Sequence, residues 1–163
     1  MLTVGLIGAG RIGRVHASTI VQDEGSQLVA VADSVDENAK NLAKLYKVNP
    51  RSVDAIFEDN SIEAILIASS TDTHSDFIEK ASKAGKAILC EKPVDLSLAR
   101  AKRCLANTKS NEHSIMMGFN RRFDPNFVAL KNALDGGEIG TAELLSITSF
   151  DPALPPIDLS LIH

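Results

Sequence analysis

Short apolar runs alternate along this chain with longer stretches in which apolar residues recur every three or four positions. Thr3-Val4-Gly5-Leu6-Ile7 has the mostly apolar character of a parallel strand buried on both faces. Arg11 to Gln22 follows, with Ile12, Val15, His16, Thr19 and Ile20 at helical spacing. A second apolar run, Leu28 to Ala32, ends in Asp33. The next helix is expected to open with a capping box, Ser34 to Glu37, and to bury Ala39, Leu42, Ala43 and Tyr46 on one face. Val53 to Phe57 predicts a short helix, and Glu63 to Ala68 another buried strand, followed by the polar loop Ser69-Ser70-Thr71-Asp72-Thr73-His74. A helix then runs to about Ala84, with Phe77, Ile78 and Ala81 inward and Gly85 as its stop. Ala87 to Cys90 reads as a strand ending at Glu91-Lys92-Pro93, Ser97 caps a helix through Asn107, and Ser114 to Gly118 supplies one more strand. Alternation of this kind is the signature of an α/β fold with a doubly wound parallel sheet.

The turn after the first strand sharpens this picture. Gly8-Ala9-Gly10-Arg11-Ile12-Gly13 is a G-x-G-x-x-G, a weak signal alone, but here a strand precedes it, a helix follows, and Asp33 lies 20 residues beyond Gly13. Each glycine answers a separate demand: Gly8 for the tight turn, Gly10 for approach of a pyrophosphate to bare backbone, Gly13 for close helix packing. The free amides and dipole of the helix N-terminus would attract that pyrophosphate. Asp33 would accept from ribose hydroxyls and repel a 2'-phosphate, which favours NAD over NADP. The sequence therefore predicts a Rossmann sheet with an NAD cradle.

Composition narrows the function classes. The chain has 163 residues, room for one domain or one domain and part of another. Its net charge of −4 and pI near 5.5 argue against a nucleic-acid footprint. No apolar stretch has the length of a membrane span, and the N-terminal run is broken by glycines and Arg11, unlike a signal peptide. A cytoplasmic location is expected. Cys90 and Cys104 have no metal-type spacing and are expected as free buried thiols, with no metal site.

In doubly wound sheets ligands bind outside the carboxyl ends of the strands, where the Gly8 loop, the Ser69 to His74 loop and Glu91-Lys92-Pro93 all fall. A lysine there could bind a substrate hydroxyl and take or relay its proton during hydride transfer. The residues alone leave this reading of Lys92 open beside that of a solvated lysine paired with Glu91.

Gly8 to Gly13, Asp33, Ser70-Thr71-Asp72-Thr73-His74, Glu91-Lys92-Pro93 and Gly118-Phe119-Asn120-Arg121-Arg122-Phe123-Asp124-Pro125 together resemble the glucose-fructose oxidoreductase/inositol dehydrogenase/rhizopine-catabolism family. Within it, Cys90 to Asp95 and Gly118 to Asn126 are most similar to the inositol 2-dehydrogenase branch. The resemblance implies that Gly8, Gly10, Arg11, Ile12, Asp33, Ser69, Thr71 and His74 line the NAD site. It also implies that Glu91 and Lys92 reach the nicotinamide and substrate, with Lys92 as the catalytic residue. Pro93 would fix the backbone there, a cis bond being one way to do so. Asn120 and Arg121 would lie near the nicotinamide at the crossing between domains. Two of these keep plainer alternatives: His74 as a helix-start hydrogen-bonding residue, and Arg121-Arg122 as a solvated pair. His16 and His113 read as structural. The implied reaction is hydride transfer from a ring carbon of a cyclic polyol to NAD, leaving a ketone; a homo-oligomer is allowed.

Members of the family are about twice as long, because a substrate domain built on a large sheet follows the Rossmann half. The expected division here is residues 1–120 as NAD-binding domain and 121–163 as the start of an α+β substrate domain. Asp124-Pro125 begins a helix that Gly136-Gly137 ends, and Thr141 to Phe150 is expected as the first strand of that second sheet. The family carries an aspartate and a histidine four apart beyond this point. Asp158 and His163 are five apart and do not share a helix face, so they are not read as that pair. Low activity is therefore expected of this chain alone, the alternatives being a non-catalytic NAD-binding module or an interaction fragment. A strand at Leu144 to Phe150 without neighbours is expected to fold back or to pair with another copy.

Overall fold

Parallel strands β1 (Leu2–Ile7), β2 (Ser26–Ala32), β3 (Asn49–Pro50), β4 (Ala64–Ile67), β5 (Ala87–Cys90) and β6 (Ile115–Met117) form one sheet in the order β3-β2-β1-β4-β5-β6. The computed structural model describes residues 1–109, 114–148 and 150. Helices α1 (Arg11–Gln22), α2 (Asp36–Tyr46), α3 (Val53–Glu58), α4 (Thr71–Lys83) and α5 (Leu98–Thr108) make the crossovers. On one face, α1 and α2 lay Ala17, Ile20, Ala39 and Leu42 against Val4, Leu6, Leu28, Val31 and Leu66. On the other, α3, α4 and α5 lay Ile56, Phe57, Ile78, Ala81 and Cys104 against Ile7, Ile65, Ile67, Ile88 and Cys90. Strand order reverses between β1 and β4, the switch point at which doubly wound sheets bind ligands.

Side-chain alternation slips once. The β1–β2 register passes from Val4 opposite Leu28 to Gly5 opposite Ala30, leaving Val29 as an extra residue. A bulge of this kind lets neighbouring positions share a face. Val29 and Ala30 thus both belong to the α3–α5 side, and Leu28 and Val31 both to the other.

Four expectations are corrected. On α1 the buried positions are Gly13, Ala17 and Ile20, while Val15 is 57% exposed and Thr19 is exposed; small residues let the helix sit close to the sheet. Helix α2 starts after Val35 rather than Ser34, because the Asp33 carboxylate takes the Val35 amide at 2.8 Å and no side chain caps the helix; Tyr46, its last residue, is only half-buried. The polar stretch Thr71 to His74 is the first turn of α4 rather than a loop, because Ser70 O accepts both the amide (3.0 Å) and the hydroxyl (2.7 Å) of Thr73. Finally, the described residues of 141–150 form no strand, and Leu144 and Phe150 are 89% and 88% exposed. A strand needs a neighbour to take its amides and carbonyls, and none pairs with it among the described residues.

Residues Met1–Gly118 form one compact unit and the chain from Phe119 another. In the second, a 3₁₀ turn (Asn120–Phe123) leads into α6 (Pro125–Asp135). Asp124 caps α6 by accepting the Asn126 amide at 3.0 Å, Pro125 is its first residue, and Gly136-Gly137 ends it, as expected from the sequence. Asp158 and His163 lie outside the described residues, as does His113.

Candidate functional site

The three glycines of the first turn meet different surroundings. Gly8 has φ +102°, and a Cβ there would lie 2.3 Å from Ala68 O and 2.6 Å from Ser69 N. It is therefore held to glycine by conformation and by the end of β4 at once. A Cβ on Gly13 would lie 1.9 Å from Gly8 O, so the helix could not pack where it does. Gly10 differs: a Cβ there would meet nothing within 4 Å. Its φ of −70° suits any residue, and it is the N-cap of α1 with no side chain capping the helix. The fold does not need a glycine at position 10, but a ligand resting on bare backbone would. The first amides of α1 have no intrahelical acceptor and face outward for an anion. Arg11 is exposed and Ile12 half-buried at the helix start. This arrangement fits the pyrophosphate of a dinucleotide.

Asp33 stands at the end of β2 and anchors the loop. Its Oδ2 accepts the Ala9 amide at 2.6 Å, its Oδ1 accepts the Val35 amide at 2.8 Å, and Asn38 Nδ2 lies 3.5 Å from Oδ1. Ala9 is fully buried, so the first bond satisfies an amide that water cannot reach. A carboxylate has about four acceptor positions, which leaves room for ribose hydroxyls.

Across the switch point, His74 ties two loops together. It is 1% exposed, with Nδ1 2.7 Å from Pro93 O and Nε2 3.1 Å from Ser69 O. Ser75 adds a hydroxyl bond to Val94 O at 3.1 Å, and Ser69 Oγ lies 2.7 Å from Thr73 Oγ1. The start of α4 therefore fixes the loops after β4 and β5. Thr71, 9% exposed, is the first residue of that helix. Both ring nitrogens of His74 are engaged by main-chain carbonyls, so it shapes the site from behind.

At the end of β5 the chain turns through a cis Lys92–Pro93 bond. Lys92 is exposed. The Glu91 carboxylate lies 2.7 Å from His16 Nε2 through Oε1, and its Oε2 accepts the Lys92 amide at 3.3 Å. His16, read from the sequence as structural, is the residue whose pairing with Glu91 the sequence did not show. It follows Gly13 by three positions on α1, and residues three apart share a helix face, which is the signal that could have found it. Just inside the strand, burial pushes the Cys90 thiol up to about 12, with Glu91 adding to the effect; this sulfur is an inert neighbour. Asn120 and Arg121 open the 3₁₀ turn of the second unit, where Arg121 lies 3.7 Å from Asp124 and stacks over Phe127 at 5.6 Å. Among the described residues no group of three His, Cys, Asp or Glu side chains could hold a metal ion. No helix among them is long and apolar enough to cross a membrane.

Residues 2–119 match the Gfo/Idh/MocA family model, described as an oxidoreductase family with an NAD-binding Rossmann fold. The chain is 47% identical over 154 residues to inositol 2-dehydrogenase of Rhizobium meliloti strain 1021, covering 94% of this chain and 47% of that protein. Among solved structures it resembles a myo-inositol dehydrogenase from Corynebacterium glutamicum, with TM-score 0.82 and 39% identity over 86% of this chain and 43% of that one. It also resembles a scyllo-inositol dehydrogenase from Lactobacillus casei with NAD(H) and scyllo-inositol bound, with TM-score 0.77 and 28% identity over 86% of this chain and 42% of that one. The chain thus spans about half the length of the relatives it matches.

Proposed function

This chain belongs to the glucose-fructose oxidoreductase/inositol dehydrogenase/rhizopine-catabolism oxidoreductase family, and we propose that it provides the cofactor-binding half of an NAD-dependent inositol 2-dehydrogenase. The observation that carries the reading is Gly10: it is bare, with nothing within 4 Å of where a Cβ would stand, between two glycines whose places the fold itself demands. Gly8, Gly10, Arg11 and Ile12 would take the pyrophosphate, Asp33 the ribose hydroxyls, and Ser69 and Thr71 the far side of the cradle. His74 would hold those loops in place. The domain division would fall near residue 120, with the stretch from 121 opening a substrate domain.

Bound NAD supplies a hydride acceptor. The chain's own contribution is to position and to manage a proton. Lys92 would bind the polyol hydroxyl being oxidised and receive or relay its proton as the carbon loses hydride. Glu91 would keep the main chain of Lys92 in place, and the cis bond to Pro93 turns the chain at that point.

Titration calorimetry with NAD and NADP on the whole chain tests the cradle: NAD should bind, and NADP should bind at least tenfold more weakly because Asp33 repels its extra phosphate. No heat with NAD would refute the reading. Release of NADH on adding myo-inositol tests the activity, while binding without turnover would mark a cofactor-binding module.

A further inference from the structure

We propose that His16 is a positioning residue which, through Glu91, ties the helix that opens at the dinucleotide cradle to the loop that carries Lys92. The inference rests on the reading of Gly8 to Gly13 as the NAD cradle and of Lys92 as the residue facing substrate. His16 Nε2 and Glu91 Oε1 are 2.7 Å apart, with side chains 23% and 21% exposed, so the pair is largely withdrawn from water. The other carboxylate oxygen takes the Lys92 amide at 3.3 Å. Behind the carboxylate lies Gly118, where a Cβ would stand 3.1 Å from Glu91 Cδ and Oε1; bare backbone leaves the group its seat. The strands hold the rest: the Glu91 amide donates to Ile67 O at 2.9 Å, and the Gly118 amide donates to Cys90 O at 2.7 Å.

One carboxylate is thus reached from α1, from the loop just after β5 and from the residue just after β6. Of the two hydrogen bonds to this carboxylate among the described residues, the short one is from His16. A partly buried carboxylate deprived of its principal donor turns toward water, because an unsatisfied charge is costly to keep withdrawn. That turn would abandon the Gly118 seat and the Lys92 amide together. His16 also stands on the helix whose N-cap is Gly10, about 9 Å farther along at 1.5 Å per residue. A helix moves as a rigid piece over that distance, so an adjustment of its N-terminus when NAD seats reaches Glu91 directly. The sequence feature left over, a histidine three positions beyond the last glycine of the loop, thereby gains a task.

Amide hydrogen exchange resolved by NMR on the whole chain, with and without NAD, tests the tie. In the wild type NAD should slow exchange at residues 8–13 and also at Glu91, Lys92 and Val94. His16→Ala puts a good helix former at a helix position, so folding should survive. It should still show NAD protection at 8–13, but Glu91, Lys92 and Val94 should exchange about three- to tenfold faster, with the response to NAD lost. His16→Gln, which carries a donor near the position of Nε2, should return those amides to within about twofold of wild type. Unchanged exchange at 91–94 in His16→Ala overturns the proposal, and so does failure of a folded His16→Gln to rescue. If His16→Ala does not fold, Glu91→Gln must speed exchange at Lys92, and no change there overturns the proposal equally. Absence of NAD protection at 8–13 in the wild type would instead defeat the functional reading, while the effect of His16→Ala without NAD would still decide the tie.

Discussion

At the scale of single residues, the glycine loop separates what the fold requires from what a ligand requires. Gly13→Ala drives a Cβ to within 1.9 Å of Gly8 O, a main-chain atom with nowhere to retreat, and should cost about 3 kcal/mol in urea unfolding. Gly10→Ala adds a Cβ that meets no protein atom within 4 Å and should cost about 1 kcal/mol or less, the N-cap preference for glycine over alanine, yet lower NAD affinity at least tenfold by calorimetry. If both variants lost stability alike, Gly10 would have a structural duty after all. On the proposed reading, Asp33 would serve both purposes. Asp33→Ala should weaken NAD binding and also destabilise the fold by about 1–3 kcal/mol, because the buried Ala9 amide loses its acceptor. Cys90, with its thiol pushed up to about 12 by burial, and Cys104, raised by the same cause, should resist a thiol reagent until the chain is unfolded. Unlike the Asp33–Ala9 bond, which joins residues 24 apart, the demands on Gly8 and Gly13 were legible in the sequence because they are local to one turn. The engagement of both His74 nitrogens by Pro93 and Ser69 was not, since it depends on three separate segments meeting.

At the scale of elements, the starts of strands and helices are fastened by carboxylates. Glu63, just before β4, accepts the Thr3 amide at 2.9 Å and the Thr3 hydroxyl at 3.0 Å, and these bonds hold its carboxyl below its ordinary range. Asp59 is lowered by the hydroxyl and amide of Ser61, and Asp95, just before α5, by the amide of Ser97. A carboxyl lowered in the folded state gives stability that is present above its unfolded pKa and lost as pH falls through its folded pKa. Urea midpoints should therefore hold from neutrality down to about pH 5 and decline below it. Glu63→Gln should make that decline shallower, and an unaltered acid limb would show that the β1–β4 clasp contributes nothing to it. Legibility at this scale follows the range of the cause. Apolar runs fixed the centres of β1, β2, β4 and β5, whereas the starts of α2 and α4 moved because Asp33 and Ser70 made hydrogen bonds that no periodicity reports. The strand that the family resemblance implied over 141–150 is absent among the described residues there for a related reason: only a neighbouring backbone makes a strand.

At the scale of the whole chain, the burial is unevenly divided. Both apolar clusters lie within Met1–Gly118, together with every strand of the sheet and the residues proposed for the glycine cradle. In the second unit α6 buries none of its residues, and Phe123, Ile139, Leu144, Leu145 and Ile147 are between 58% and 89% exposed. Stability by apolar burial therefore has to come from the first unit, since exposed side chains contribute little. A fragment ending at Gly118 should fold by itself, unfold cooperatively in urea within about 1 kcal/mol of the whole chain, and bind NAD within about tenfold of it. The same exposed residues should make the whole chain associate as its concentration rises, because burying exposed apolar side chains against another copy removes them from water. Light scattering should then show the fragment as a monomer and the whole chain as larger species, which the double substitution Leu144→Asp with Leu145→Lys should diminish. A fragment that is unfolded by circular dichroism would mean that residues beyond Gly118 complete the core, and a monodisperse whole chain would mean that its apolar tail segment finds cover within one molecule.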